Sequence, residues 1–308
     1  LSNKDSAWRP AAYIEAEIAP NERFKIVPGV RVDYAQDTGH WDIGPRLSAR
    51  YDIVHDFPRT TVKGGIGLFY QPPQFQETSP VFGSPGLESN RAAHYSLGVE
   101  QEISKPIEVS LEGFYKYLDQ LVARSANSSG NFDYNNLGTG YVVGAEVLLK
   151  YKPDSRFFGW LAYTLSRSVR RNPPDYASTL FQYDQTHILT ILGSYRLGHG
   201  WEFGARFRLV SGDLYTPISG GVYAADAGAY TPIDGLPFSQ RLPIFHQLDL
   251  RVDKSWRFPG WMLRTYLDVQ NAYNRANPEG LTSNYNFSQS RVQAFLPIIP
   301  SLGVRGEF

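Results

Sequence analysis

Apolar and polar residues alternate along this chain with a period of two, in runs of about ten residues. The clearest run is 41–53, WDIGPRLSARYDI. Trp41, Ile43, Pro45, Leu47, Ala49, Tyr51 and Ile53 fall on one side, and Asp42, Gly44, Arg46, Ser48, Arg50 and Asp52 on the other. Successive side chains of a strand point to opposite faces, so this spacing predicts a strand with one apolar and one charged face. A strand in a soluble sandwich rarely sets so many charges against so long an apolar face. A membrane barrel does so routinely, with lipid on one side and a wet lumen on the other. Aromatic residues close the apolar face, as an interfacial belt requires.

The alternation recurs at 24–34, 106–117, 141–151, 201–209, 248–256, 261–269 and 298–308, and more weakly at 10–18, 59–70, 91–102, 156–168 and 186–197. Thirteen strands result. In 248–256 one residue, Lys254, breaks the apolar side. The connections alternate as well. Pro20-Asn21, His55-Asp56-Phe57-Pro58, Ser104-Lys105-Pro106, Pro153-Asp154, Gly198-His199-Gly200 and Phe258-Pro259-Gly260 are short turns. Between them run long connections at 35–40, 71–90, 118–140, 169–185, 210–244 and 271–297. Short periplasmic turns alternating with long extracellular loops are the outer-membrane pattern. With that orientation the final strand ends in the periplasm and residue 1 lies outside the cell. Bacterial single-chain barrels have an even number of strands, so thirteen imply a larger barrel, incomplete at the N-terminus. The segment around Tyr285–Phe287 reads as part of the last long loop.

Composition supports strands and turns. The 308 residues include 20 Tyr, 18 Phe, 28 Gly and 21 Pro, against 1 Met and 0 Cys. Lys+Arg and Asp+Glu are 30 each, which gives no electrostatic case for nucleic acid as a partner. The absence of Cys excludes disulfides, thiol catalysis and Cys-ligated metal centres. Mean hydropathy is −0.34, and no stretch approaches the roughly 18 apolar residues of a transmembrane helix. No leader peptide opens the chain and Leu1 is not an initiator Met, so further sequence is expected upstream.

No nucleophile elbow or metalloprotease spacing is present, and the chain is not expected to be an enzyme. His40, His94, His187 and His246 fall near the extracellular strand ends. Polar rings also suit the lipid–water boundary, and no metal or cofactor is expected. Arg46, Arg50, Glu112, Glu146, Arg206, Arg208, Arg251 and Arg264 lie in the polar register. In a barrel they face the lumen, either lining a path through it or pairing with one another inside it, and their mixed signs favour pairing. The loops are rich in aromatic residues, and Tyr70, Phe75, Phe82, Tyr183, Tyr215 and Tyr230 are the expected ligand-binding positions. The stretch Tyr223–Leu236 is expected to be a mobile lid.

The motifs WDIGPRLSARYDI, TTVKGGIGLFYQPPQ, HYSLGVEQ, VSLEGFYKYLDQLV, YDQTHILTILGSYRLGHGWEFGARFRLVSG, LDLRVDKSW, YLDVQNAYNRANPEG and PSLGVRGEF follow one another in a specific order. In that order the chain resembles the C-terminal part of a TonB-dependent outer-membrane receptor, over essentially all of residues 1–308. YLDVQNAYNR stands where the family has an NLFDK-like segment, and Phe308 matches the terminal aromatic read by the barrel assembly machinery. Gly306 and Ala272-Tyr273-Asn274 depart from the family's pattern. The resemblance implies an all-β antiparallel barrel of about 22 strands with a plugged lumen, of which these residues supply the last part. It implies active uptake of a scarce nutrient, of the iron–siderophore, cobalamin or oligosaccharide class. It also implies contact with outer-membrane lipid and lipopolysaccharide, and with the TonB complex through an N-terminal plug outside these residues. A passive diffusion channel without plug or energy coupling is the alternative function, and a soluble β-sandwich the alternative fold.

Overall fold

The computed structural model describes residues 6–79, 83–126, 132–154, 156–294 and 296–308. Its strands are, in chain order, β1 (Ala11–Glu15), β2 (Ile18–Asn21), β3 (Phe24–Ala35), β4 (His40–Val54), β5 (Thr60–Gln71), β6 (Asn90–Ser104) and β7 (Ile107–Ala126). There follow β8 (Phe132–Tyr151), β9 (Phe157–Arg171), β10 (Ser178–Leu180), β11 (His187–Gly198), β12 (Trp201–Val210), β13 (Leu214–Tyr215) and β14 (Ile218–Ala224). The last are β15 (Ala229–Asp234), β16 (Gln240–Arg241), β17 (Phe245–Phe258), β18 (Trp261–Gln270), β19 (Pro278–Ser283), β20 (Ser290–Ala294) and β21 (Ile299–Glu307). One helical turn, α1 (Phe75–Thr78), follows β5.

The main sheet has fifteen strands in the order β1-β3-β4-β5-β6-β7-β8-β9-β11-β12-β17-β18-β21, with β2 and β10 off this path. The thirteen strands on the path correspond one to one with the alternating runs of the sequence. Register explains the pattern. Between β3 and β4, Val32 faces Ile43, Tyr34 faces Trp41 and Phe24 faces Tyr51, while Arg31 faces Gly44 and Lys25 faces Arg50. The apolar register is bare: Trp41 is 67% exposed and Ile43 57%, whereas Asp42 and Asp52 are each 7% exposed. A soluble sheet has the reverse arrangement. An apolar face of this extent demands lipid, and the carboxylates turn to the polar side.

The long connections are more ordered than the sequence suggests. The connection expected at 118–140 is largely strand, because β7 and β8 each run for 20 residues. The connection at 210–244 holds the β13–β16 pair and the β14–β15 hairpin, and the one at 271–297 holds the β19–β20 hairpin, with Tyr285–Phe287 at its turn. The expected lid 223–236 is therefore mostly one arm and turn of a paired hairpin. Backbone N–H and C=O groups in these excursions need partners, and ladder pairing supplies them. The apolar alternation fades there: ISGGVYA, AYTPID, PEGLTS and SRVQA set no apolar face against a polar one.

The chain divides into two compact units. The first comprises Leu1–Gln101, Leu111–Ala145 and Arg167–Leu180; the second comprises Glu102–Ser110, Glu146–Ser166 and Phe181–Phe308. In the first unit Arg50 and Lys63 both reach Glu100 at 3.1 Å, Lys63 reaches Glu112 at 3.1 Å, and the Thr61 hydroxyl donates to Asp52 at 2.7 Å. In the second, continuous ladders join β9, β11, β12, β17, β18 and β21.

Candidate functional site: a balanced polar wall and the long-loop hairpins

The polar register forms a wall of opposed charges. Arg46 lies 3.2 Å from Glu15, and Arg50 and Glu112 join the network around Lys63 and Glu100. Arg206 meets Asp249, its partner across the β12–β17 ladder, at 2.6 Å. Arg251 meets Asp253 at 2.8 Å and Asp268 at 3.6 Å, and its guanidinium lies 4.0 Å over the Tyr266 ring. Arg264 donates to the Ser255 hydroxyl at 3.2 Å, and Arg208 lies 5.5 Å over the Phe245 ring. Glu146 is exposed on β8. Each cross-strand pair contributes about 0.2–1 kcal/mol. In each unit the pairs set cations against carboxylates on the polar register.

The expected ligand-binding aromatics separate. In the first unit Tyr70, at the end of β5, lines a cavity of about 350 Å3 with Arg31, Asp33 and Arg46. Phe75, on α1, lies under the Arg9 guanidinium at 4.7 Å. Phe82 lies outside the described residues. In the second unit Tyr183 meets Phe181 edge-on at 5.4 Å, and the Tyr215 hydroxyl donates to Gln240 at 2.6 Å.

Tyr230, alone of the five that are described, enters a tyrosine cluster, with ring centroids 5.2 Å from Tyr223 and 5.4 Å from Tyr285. The Tyr285 hydroxyl donates to the carbonyl of Gly228, 57 residues away in sequence, at 2.9 Å. At Gly221 a Cβ would stand 2.7 Å from the Asn286 carbonyl. Only glycine lets the two hairpins approach this closely. The β14–β15 and β19–β20 hairpins are thus one interlocked body, which the sequence does not announce because its halves are distant in the chain.

His187, His246 and His94 take local partners. His187 Nδ1 lies 2.8 Å from the Tyr163 hydroxyl and His246 Nδ1 lies 2.7 Å from the Tyr273 hydroxyl, while the His94 ring lies tilted against Phe69, with centroids 4.4 Å apart. Among the described residues no three His, Asp or Glu side chains are grouped to hold a metal ion. Outside the wall, the Arg9 guanidinium donates to Asp37 and to the Pro73 carbonyl at 3.0 Å. That bond holds the Asp37 carboxyl below the usual carboxylate range.

Comparison with known proteins agrees with this architecture. The family described as TonB dependent receptor-like, beta-barrel matches residues 1–272. The iron-regulated outer membrane virulence protein of Vibrio cholerae serotype O1 is 26% identical over 126 residues, 38% of this chain and 19% of that protein. The outer membrane transporter YddB of Escherichia coli superposes with a TM-score of 0.73 at 13% identity, over 97% of this chain and 45% of that one. A mutant of the ferric enterobactin receptor PfeA of Pseudomonas aeruginosa gives 0.67 at 14% identity, over 97% and 45%. The chain thus spans less than half the length of each of these proteins.

Proposed function

The chain belongs to the TonB-dependent receptor family of the Gram-negative outer membrane, and on that premise we propose that it forms wall and extracellular loops of an energy-coupled receptor for a ferric siderophore. In this reading residues 1–308 are the C-terminal portion of the barrel, with the short turns in the periplasm and the long connections outside. A plug elsewhere in the receptor fills the lumen against the polar wall and relays work from TonB. Such receptors are transporters rather than enzymes.

The observation that carries the reading is the pairing of a bare apolar face with a charge-balanced polar face, together with the Tyr223–Tyr230–Tyr285 cluster in the long connections. A polar wall accommodates a plug without a fixed ion preference. Tyrosines offer large, rigid contact area with a hydroxyl handle, which suits a bulky organic chelate better than a bare ion. Related proteins named for iron regulation and for ferric enterobactin favour the iron class over cobalamin or oligosaccharide.

The test is growth of a receptor-deletion strain under iron limitation with single ferric siderophores as iron source. Restored growth by the full receptor, abolished by a protonophore or by loss of TonB, supports the proposal. Uptake that persists without energisation, with open conductance in a planar bilayer, would instead establish a passive channel.

A further inference from the structure

Two hairpins of the second unit share one construction. In β14–β15, Ile218 pairs with Asp234 and Gly220 with Ile233, so Ser219 is an extra residue between them. In β19–β20, Pro278 pairs with Ala294 and Gly280 with Gln293, so Glu279 is extra in the same way. Each hairpin therefore carries a bulge one pair above its base, on its first strand, followed directly by glycine. A bulge interrupts the ladder and bends its strand. At the first bulge the Ser219 hydroxyl donates to the Ile233 carbonyl at 3.2 Å, a side-chain bond where the ladder lapses.

Shape does not demand either glycine. Neither has a φ in the left-handed region, and a Cβ at Gly220 or Gly280 meets nothing within 4 Å. What glycine supplies at both positions is backbone freedom. Residues near the ends of elements that absorb a change in φ and ψ are the usual hinges of moving segments.

Below the bulges the chain is held. The Gly235 N–H donates to the Pro217 carbonyl at 2.7 Å, and Leu214 pairs across with Arg241. The buried Asn277 side chain accepts from the His246 N–H at 3.1 Å, and the buried Asn271 donates its N–H to Asp249 at 3.0 Å. Above the bulges the hairpins hold each other. Tyr230 lies against Tyr223 and Tyr285, the Tyr285 hydroxyl bonds the Gly228 carbonyl, and Gly221 approaches the Asn286 carbonyl. A fixed base, two flexible steps and a locked head allow one joint swing and no separate ones. The head also keeps apolar side chains in water, with Tyr285 67% exposed and Val222 58%. A position of the head that covers them is favoured by burial.

We propose that β14–β15 and β19–β20 are a single lid that swings on the bulges at Ser219-Gly220 and Glu279-Gly280. Access to the tyrosine cluster is then set by one movement of two connections that lie far apart in the sequence. The inference goes beyond the uptake reading. The swing belongs to the free protein, so its failure leaves siderophore uptake standing, and a failure of uptake leaves the lid standing.

The test measures distances between nitroxide labels by pulsed electron paramagnetic resonance, in the full receptor in detergent with no siderophore added. This chain has no Cys, and the receptor is freed of any others. Asp226→Cys marks the turn of one hairpin, Gln289→Cys the turn of the other, and Ile191→Cys the ladder of β11. Both distances from 191, to 226 and to 289, are expected to be broadly distributed. The 226 to 289 distance is expected to be narrow, because the two turns travel together. Gly220→Ala combined with Gly280→Ala is expected to narrow both distances from 191, since alanine removes backbone freedom where its Cβ meets open space. Tyr230→Ala is expected to broaden the 226 to 289 distance by unlocking the head. The gel mobility of unheated samples reports whether each variant is folded. Distances from 191 as narrow as the 226 to 289 distance overturn the proposal, since the head is then fixed to the base. A 226 to 289 distance as broad as the other two also overturns it, since the hairpins then move separately. Unchanged distributions in a folded Gly220→Ala/Gly280→Ala variant place the flexibility elsewhere and overturn the hinge. Both of the first two comparisons are made in the parent receptor, so they decide the matter even where a variant fails to fold.

Discussion

Arg241 closes on the buried carboxylate of Asp184, 57 residues earlier in the chain. Its guanidinium also donates to the Asp184 carbonyl at 2.7 Å, the Thr186 hydroxyl at 2.9 Å and the Gly212 carbonyl at 3.1 Å. A planar fork of five donors thereby ties the segment before β11, the segment after β12 and β16 into one knot. The Asp184 side chain is 1% exposed, so Arg241→Gln strands a buried charge. Loss of one partner from such a pair costs about 3 kcal/mol. The expected outcome is a lower urea midpoint for the refolded receptor, partly recovered by adding Asp184→Asn. An unchanged midpoint in Arg241→Gln would remove this pair as the anchor.

The tyrosine cluster predicts a coupled effect on ligand binding. Aromatic pairs contribute about 0.5–1.5 kcal/mol beyond their buried area. Tyr230 touches both Tyr223 and Tyr285, so Tyr230→Ala removes two ring contacts at once. Affinity for the ferric siderophore of the proposed function is expected to fall roughly tenfold, with faster protease cleavage in both hairpins. Tyr183→Ala, whose ring meets Phe181 instead, is expected to leave the hairpins intact. Equal cleavage of the parent and Tyr230→Ala would mean that the hairpins are not interlocked through these rings.

The sheet was legible in the sequence because lipid and water impose opposite demands on alternate residues. Trp41 through Ile53 show it in one line, and all thirteen strands of the path carry some trace of it. The loop hairpins were not legible, since 218–224 pairs with 229–234 and 278–283 with 290–294 without an alternation of apolar and polar residues. Nor could the partner of Tyr230 be read: Tyr285 is remote in the chain and joined to it only by folding. Lys254 was visible as an irregularity, yet its two indole neighbours, Trp201 and Trp256, became a feature only when the β12–β17 register set Trp201 beside it. The wall arginines were legible as a register, but their partners were not. Arg251 pairs along its own strand with Asp253, whereas Arg206 pairs across strands with Asp249.

Two adjacent residues test which face meets lipid. Leu47 lies in the exposed apolar register of β4, and Ser48 points to the polar side. Arginine on a lipid-facing position costs about 2–4 kcal/mol near the bilayer midplane. Leu47→Arg is expected to lower folding yield and stability by that order in lipid vesicles, and Ser48→Arg to change them little. The reverse ranking would exchange the two faces.

Acid should release the contact made by Asp37. The Arg9 guanidinium bonded to it lowers its pKa in the folded chain. A depressed carboxyl contributes stability that is complete above its unfolded value of about 3.9. That contribution is lost as pH falls through the lower folded value. Arg9 also bonds the Pro73 carbonyl and covers the Phe75 ring, so its release frees the segment before α1. Pepsin cleavage at Phe75 is expected to quicken as pH drops below about 4 in the parent. In Asp37→Asn it is expected to be fast throughout pepsin's working range. Identical pH profiles for the two proteins would exclude this tie.

Two glycines at the short-turn end separate backbone strain from steric conflict. Gly200 has φ +80° and Gly260 φ +85°, both in the left-handed region where a side chain costs about 1 kcal/mol. Their surroundings differ. A Cβ at Gly260 meets open space, whereas one at Gly200 would stand 2.1 Å from the Ser255 carbonyl oxygen. That oxygen belongs to backbone and cannot swing aside. The Ser255 N–H also donates to the Gly200 carbonyl at 2.8 Å, so moving either strand breaks the bond that closes the β12–β17 ladder at this end. Gly260→Ala is therefore expected to cost about 1 kcal/mol in a urea titration. Gly200→Ala is expected to cost clearly more and to loosen the turn that presents the His199 carbonyl to Lys254. Equal costs would mean that β17 yields freely at Ser255, and the close approach read from the backbone would then place no constraint on residue 200.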